Sequence, residues 1–196
     1  NNYLIKSKVN MSKLLTTDII CHGTPSPKIF HDYILFLEMK SKSKLINYNF
    51  RSKVNGWKHT EEAVFKNGKR EYNTVATQVY KKLFHSNLCL RPSCYQCKYT
   101  SYLRPADITI ADYWGVENYF PEFTDNLGVS AVLLNNQKGK DVFKSITEDI
   151  YMVRSNINDC ARRQANLHNP SPKNPRRDEF WCNYLNYGFM YIAKKY

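Results

Sequence analysis

The chain has no apolar stretch of about 18 residues, so the sequence predicts no membrane-spanning helix. Its first residues, Asn1-Asn2-Tyr3-Leu4, include neither an initiator methionine nor a signal peptide, which predicts a trimmed chain and a cytoplasmic location. It also lacks internal repeats, a G-x-G-x-x-G fingerprint and a P-loop, so neither a Rossmann oxidoreductase nor a P-loop NTPase is supported. Six cysteines in 196 residues are too sparse for a secreted disulfide framework.

Acidic residues are scarce, at 17 against 29 lysines and arginines, which gives a net charge of +12. A basic balance suits nucleic acid, anionic lipid or a phosphate-bearing ligand, but cations spread over an ordinary surface are the preferred explanation. No long basic run exists, and the densest basic residues lie near the end of the chain. Hydrophobic residues at 42% and aromatics at 14% are enough to bury a core, which excludes wholesale disorder.

Apolar periodicity and turn residues predict an α/β (or α+β) protein, with one mixed sheet flanked by helices and an irregular cysteine-rich loop at 87–105. The predicted domain covers residues 1–155, and a helical extension covers 156–196. The predicted strands are 14–21, 46–50, 59–65, 69–73, 106–113 and 129–134. The predicted helices are one that begins at Pro27 and fades at 40–44, then 75–84, 140–150, 159–167 and 178–187.

One segment has the pattern strand, tight glycine loop and helix start. The β-branched run that ends at Cys21 is followed by a loop with Gly23, then by Ser26 as predicted N-cap and Pro27 as first helical residue. Free N–H groups at such a helix start bind phosphate, although plain helix capping explains the same residues.

The cysteine cluster is the second motif with chemical content. Cys89-x4-Cys94-x2-Cys97 has ferredoxin-like spacing and needs a fourth thiolate, for which Cys21 is a candidate. His85 with these three cysteines would instead form a local four-ligand zinc site. Buried free thiols without metal are a third interpretation. Spacing alone leaves all three open.

Three stretches together resemble the C-terminal domain of the coenzyme F420 hydrogenase/dehydrogenase beta-subunit family. They are Asp18–Lys28 (DIICHGTPSPK), Arg91–Cys97 (RPSCYQC) and Arg104–Gly115 (RPADITIADYWG). Gly128–Leu134 (GVSAVLL) is similar to the next block of the family, and the resemblance covers about residues 13–150. Each stretch alone would be weak, but their order and spacing are specific.

The resemblance implies a flavin (FAD) and iron–sulfur electron-transfer oxidoreductase, with a [4Fe–4S] cluster and coenzyme F420 as a candidate substrate. By resemblance Cys94, Cys97 and Cys21 are cluster ligands, and relatives supply a further cysteine upstream of the residues present here. Either Cys89 replaces that ligand or the site is incomplete, and we expect no intact cluster in this chain handled in air. We also expect Cys94 and Cys97 to share a turn, with Cys21 within roughly 10 Å.

The same resemblance implies residues around the flavin. We expect the FAD pyrophosphate near Thr24, Ser26 and Lys28, with Gly23 allowing the tight turn and His22 tuning the cluster. Because Asp107 and Asp112 are an odd number of positions apart on one strand, they point to opposite faces. One is expected to bind a ribose or to order the cysteine loop through Arg104, and the other to cap a turn.

The partner that this function implies is a redox protein or a ferredoxin-like domain, and a homo-oligomer is also compatible with the sequence. Nucleic acid is not the expected partner of the redox function. Two alternative functions remain: a zinc-stabilised, basic nucleic-acid-binding module built on His85, and a cofactor-less interaction domain of the same fold.

Overall fold

In a computed structural model, the structure describes residues 2–196, which form two compact units, each built from two segments of the chain. Unit 1 comprises the chain up to His22 together with Cys97–Pro170, and unit 2 comprises Gly23–Gln96 together with Ser171–Tyr196. The predicted extension at 156–196 therefore contributes to both units, and its boundary as a separate domain stays a prediction. Among the described residues, no helix has both the length and the apolar character needed to cross a membrane.

Helices and strands are mixed along the chain, which confirms the predicted α/β class. In chain order the elements are α1 (Asn2–Lys6), β1 (Thr17–Ile19), α2 (Pro27–Ser41), β2 (Leu45–Ser52), β3 (Thr60–Phe65), β4 (Arg70–Tyr72), α3 (Gln78–His85), β5 (Ile108–Asp112), β6 (Ser130–Leu134), α4 (Gln137–Lys144), α5 (Ile157–Ala161), α6 (Ala165–His168) and α7 (Arg177–Lys195).

Unit 1 contains the mixed sheet that the sequence predicted. Its strand order is β1-β5-β6, with β1 parallel and β6 antiparallel to the central strand β5. In the register of this sheet, Ile110 of β5 pairs with Ile19 of β1 and with Val132 of β6. The helix after this sheet starts earlier than the predicted 140–150, because the Asn136 side chain accepts a hydrogen bond from the Gly139 N–H at 2.9 Å and caps α4.

Unit 2 contains a second sheet, with all strands antiparallel in the order β2-β3-β4. The Asn67-Gly68 turn joins β3 to β4 as predicted. Gly68 adopts a φ of +85°, a region that glycine enters without a steric penalty, and its N–H donates to the Phe65 carbonyl at 2.9 Å. Helix α2 begins at Pro27, directly after Ser26, as the sequence predicted.

The core of unit 2 is rich in aromatic residues and lies among the sheet, α2, α3 and α7. Tyr33, Phe65 and Phe180 are fully buried in it, and the rings of Tyr33 and Phe189 lie 6.0 Å apart. The predicted helix 178–187 ends at the position where Gly188 leaves helical geometry, with φ 71° and ψ −178°. Helical structure then resumes to Lys195, so α7 is longer than predicted and kinked.

A second terminal helix also differs from its prediction. The predicted helix 159–167 is divided into α5 and α6, separated by a break at 162–164. Within that break Gln164 is buried and its side-chain amide donates to the Asp112 backbone carbonyl. This contact ties the end of β5 to the chain that follows α5.

Candidate functional site

Two predicted motifs of unit 2 lie side by side. The loop Gly23–Ser26 runs antiparallel to the first half of the cysteine loop. The Arg91 N–H donates to the Thr24 carbonyl at 2.9 Å, and the Ser26 N–H donates to the Cys89 carbonyl at 3.0 Å. Backbone pairing therefore fixes the register between the glycine loop and the cysteine loop.

The glycine of this loop is needed for close packing. A Cβ on Gly23 would lie 2.8 Å from Cδ1 of Leu90, a side chain with no solvent exposure. A larger residue would require the buried Leu90 side chain to shift. Leu90 also forms an isolated antiparallel bridge with Pro25. The sequence predicted that Gly23 allows a tight turn. In the structure, the absence of a side chain at Gly23 allows its loop to pack closely against the cysteine loop.

Cys94 is the cysteine whose sulfur contacts this loop. It lies in a short 3₁₀ helix, Pro92–Gln96, and is half-buried. The Thr24 backbone N–H donates a hydrogen bond to its Sγ at 3.2 Å. Hydrogen bonds to a ligand sulfur are one of the means by which proteins tune a metal–thiolate centre. Of the four predicted ligands, Cys94 has the environment best suited to a metal-bound thiolate.

Cys89 has a different environment. It has no solvent exposure and belongs to the hydrophobic core of unit 2. Burial raises the pKa of the Cys89 thiol to about 12, so it is neutral at physiological pH. Among the interpretations that spacing left open, this placement favours a buried free thiol at this position.

The four residues of the zinc alternative are not brought together. His85 lies beside His59, with Nε2 of His85 3.3 Å from Nδ1 of His59. Across residues 2–196, no group of three or more histidine, cysteine, aspartate or glutamate side chains is placed to hold a metal ion. The spacing of His85 and the cysteines did not reveal this histidine pair, because His59 is distant from both in sequence.

The other two predicted cysteine ligands, Cys21 and Cys97, belong to unit 1. Cys21 is exposed and follows β1, while Cys97 is half-buried and its carbonyl accepts a hydrogen bond from the Thr100 hydroxyl at 3.1 Å. Cys94 belongs to unit 2. The expected approach of Cys21 to Cys94 and Cys97 therefore stays a prediction.

Arg104 orders the second half of the cysteine loop. Its side chain is only 4% exposed and donates to the Ile19 carbonyl at 3.0 Å and to the Tyr99 carbonyl. Its charge is paired with Asp18, at 3.0 Å between Nη2 and Oδ2. The expected carboxylate partner was Asp107 or Asp112. The structure supplies Asp18 instead, since the parallel pairing of β1 with β5 places its carboxylate within reach.

Asp107 has a crowded hydrogen-bond shell. Its carboxylate accepts from the Thr16 N–H and hydroxyl at 2.8 Å each and from Asn136 Nδ2 at 2.8 Å, and it pairs with Lys138 at 3.0 Å. Burial alone would raise the pKa of this carboxyl, but the hydrogen bonds from Asn136, Thr16 and Lys138 hold it far below its usual range. The ribose role proposed from the sequence would compete with these four partners.

The other predicted flavin contacts are placed less specifically. Lys28 is exposed and its ammonium group pairs with Asp32 at 3.1 Å, one helical turn along α2. Ser26 occupies the N-cap position without a side-chain capping hydrogen bond. His22 is half-buried in the loop before α2, and Asp112 ends β5.

A cavity of about 370 Å³ lies in unit 1, on the Cys97 side of the cysteine loop. Its lining combines cations, aromatic rings and an amide, from Lys98, Tyr99, Tyr102, Arg104 and Asn135. The depression is open to solvent, and its tyrosine rings suit the face of a planar ligand. The tyrosines were visible in the sequence, but their grouping with Asn135 depends on the fold.

The comparison with known families now decides the identity. Residues 3–159 match the family described as the C terminus of the beta subunit of coenzyme F420 hydrogenase/dehydrogenase. The chain belongs to this family. The match confirms the resemblance predicted from the three motifs, and it covers the two paired loops and both sheets. A search of curated proteins finds no match.

Proposed function

We propose that this beta-subunit domain is a flavin- and iron–sulfur-dependent electron-transfer oxidoreductase. One observation supports this best: two motifs of the family, 70 positions apart, meet where the Thr24 N–H donates to the Cys94 sulfur. A thiol that only fills space needs no such donor, whereas a metal-bound thiolate gains from it.

The cysteines fit the proposed cluster unequally. Cys94, Cys97 and Cys21 are accessible enough to act as ligands, whereas Cys89 is enclosed in apolar side chains. A [4Fe–4S] cluster would supply one-electron transfer when bound. The described residues do not bring three metal-binding side chains together. The contribution of this chain is therefore to position single cysteine ligands and to donate hydrogen bonds to their sulfur atoms. A redox partner or a ferredoxin-like domain would exchange the electrons.

We assign the flavin phosphates to the start of α2. The Ser26 hydroxyl is not used as a helix cap, and Thr24 beside it is exposed, so both can face a ligand. Backbone N–H groups at a helix start favour an anion. Lys28 is paired with Asp32, so it would have to break this ion pair to bind a phosphate. Among Thr24, Ser26 and Lys28 it is therefore the residue whose present contacts suit phosphate binding least. FAD would supply the hydride chemistry, with coenzyme F420 as a candidate acceptor.

The proposal is tested by purifying the protein without oxygen and measuring iron, flavin and visible absorbance. We expect bound iron, with absorbance in the region of about 400 nm. Cys94→Ser should lower the iron content, while Cys182→Ser should not, because Cys182 is an exposed thiol on α7 that belongs to neither family motif.

Protein that contains neither iron nor flavin would refute the proposal. Stoichiometric zinc together with nucleic-acid binding that weakens steeply with salt would favour the zinc module instead. Retention of full iron content in Cys94→Ser would show that the Thr24 contact has no part in metal binding.

A further inference from the structure

Unit 2 contains a pair of histidines that the proposed redox function does not use. His59 precedes β3, and His85 is the last residue of α3. We propose that His59 and His85 together bind a divalent transition-metal ion through Nδ1 and Nε2, at a site independent of the cysteines.

The distance between the two nitrogens fits a shared ion. Nitrogens bound to one tetrahedral metal at about 2.0–2.1 Å each are separated by about 3.3 Å. Nδ1 of His59 and Nε2 of His85 lie 3.3 Å apart, with the two rings nearly perpendicular at 85°. The contact is a hydrogen bond in the structure, so a bound ion would replace the proton between the two nitrogens at a spacing that already fits it.

A buried carboxylate stands behind one of the two ligands. Oε1 of Glu61 lies 3.7 Å from Nε2 of His59, the ring nitrogen opposite the one that would bind the metal. At this distance the carboxylate accepts no hydrogen bond from the ring, but when ionised its negative charge favours a proton on Nε2 rather than on Nδ1, the nitrogen that would coordinate. Glu61 itself is fixed by the Tyr48 hydroxyl at 2.5 Å, so its orientation does not depend on the metal.

The pair is reachable from solvent. His85 is exposed, and the His59 side chain is 34% exposed, so water can fill the remaining coordination positions.

Two neighbouring cations limit the affinity of the pair for a metal ion. Lys81 donates to the His59 carbonyl at 2.6 Å, and Arg51 repels positive charge at the imidazole. Imidazole ligands suit copper, nickel and zinc, and nickel is a practical probe.

The test is calorimetric titration of Ni²⁺ into the whole, chelator-treated chain at neutral pH. We expect one bound ion, and at least tenfold weaker binding in His59→Asn and in His85→Asn. His31→Asn is the matched control, since His31 is an exposed histidine on α2 that pairs with Asp32 and should leave the affinity unchanged. Circular dichroism of each variant separates lost binding from lost folding.

Two further variants distinguish this site from others. In a titration above pH 7, where Glu61 is ionised, Glu61→Gln keeps an acceptor for Tyr48 but removes the charge behind His59, so it should weaken binding about tenfold as other outer-shell substitutions do. Cys94→Ser should leave nickel affinity unchanged, because the site does not use thiols. Absence of binding to the wild-type chain, unchanged affinity in both folded histidine variants, or loss of binding in Cys94→Ser would each overturn the proposal. None of these results bears on the iron or flavin content.

Discussion

The carboxylate of Asp107 holds together three parts of unit 1, and its replacement by asparagine should destabilise that unit measurably. Oδ2 accepts from the Thr16 N–H, the Thr16 hydroxyl and Lys138, while Oδ1 accepts from Asn136. In Asp107→Asn the amide oxygen can replace Oδ2, but its NH₂ then faces the NH₂ of Asn136. Asn136 cannot rotate its amide to compensate, because its oxygen caps α4 through Gly139.

The expected cost follows from these contacts. Hydrogen bonds to a charged group contribute about 1.5–3 kcal/mol each, roughly twice the neutral value, so losing the charge weakens three bonds by about 1 kcal/mol each. Two opposed donors at Asn136 add about 1 kcal/mol. Lys138 is one-third exposed and recovers part of its loss in water. The free energy of unfolding should therefore fall by about 2–4 kcal/mol.

Urea denaturation at neutral pH measures this difference, with Asp149→Asn as control because Asp149 is an exposed carboxylate that also carries one charge. The direction of the pH dependence follows from the pKa. Folding lowers the pKa of Asp107, so the stabilisation that Asp107 gives is present above the usual aspartate pKa of about 4. This stabilisation is lost as the pH falls through the pKa of the folded state. The difference between variant and wild type should shrink in acid. A neutral-pH change below about 0.5 kcal/mol, similar to the control, would refute the reasoning.

Three other substitutions or measurements follow from buried positions. A Cβ on Gly139 would lie 2.3 Å from the Asp107 carbonyl oxygen. Gly139→Ala should therefore lower the free energy of unfolding, measured in urea, by about 1–3 kcal/mol, even though alanine favours helices more than glycine does. A variant more stable than the wild type would contradict this contact. Burial raises the pKa of Glu61 to about 7, so the stabilisation it gives when protonated is lost as the pH rises through that value. Glu61→Gln should abolish this decline in a stability–pH profile, and an unaltered profile would show that Glu61 is not its cause. Mass mapping after brief alkylation of the folded protein should find Cys182 modified and Cys89 protected, since only the former is exposed; equal labelling would place Cys89 outside the core.

Local signals in the sequence predicted most of the elements. Pro27 after Ser26 marked the start of α2, and Asn67-Gly68 marked the β3–β4 hairpin, because these residue types determine backbone geometry within a few positions. Strand β5 followed from alternating apolar and polar residues, and β6 followed from a short apolar run. The helix after them was displaced because the Asn136 cap was not recognised.

The candidate site was predicted less completely, since its contacts join distant residues. Spacing marked Cys89 and Cys94 as equivalent, but only the fold shows that one lies in the core and the other receives a hydrogen bond from Thr24. The partner of Arg104 is 86 positions away at Asp18, and no local pattern connects them. The periodicity of apolar residues indicates which face of a helix or strand is buried. It does not indicate which distant segments that face contacts.

Unit 2 closes its core with the last part of the chain, and this has a consequence for synthesis. The buried face of α2, with Tyr33 and Leu37, is covered in part by Phe180 and Phe189 of α7. These residues leave the ribosome roughly 140 residues later, which at common elongation rates is about 7–30 s. During that interval the growing chain carries an uncovered aromatic surface. Chaperone binding to the nascent chain is therefore expected to be strongest after α2 emerges and to end when α7 does.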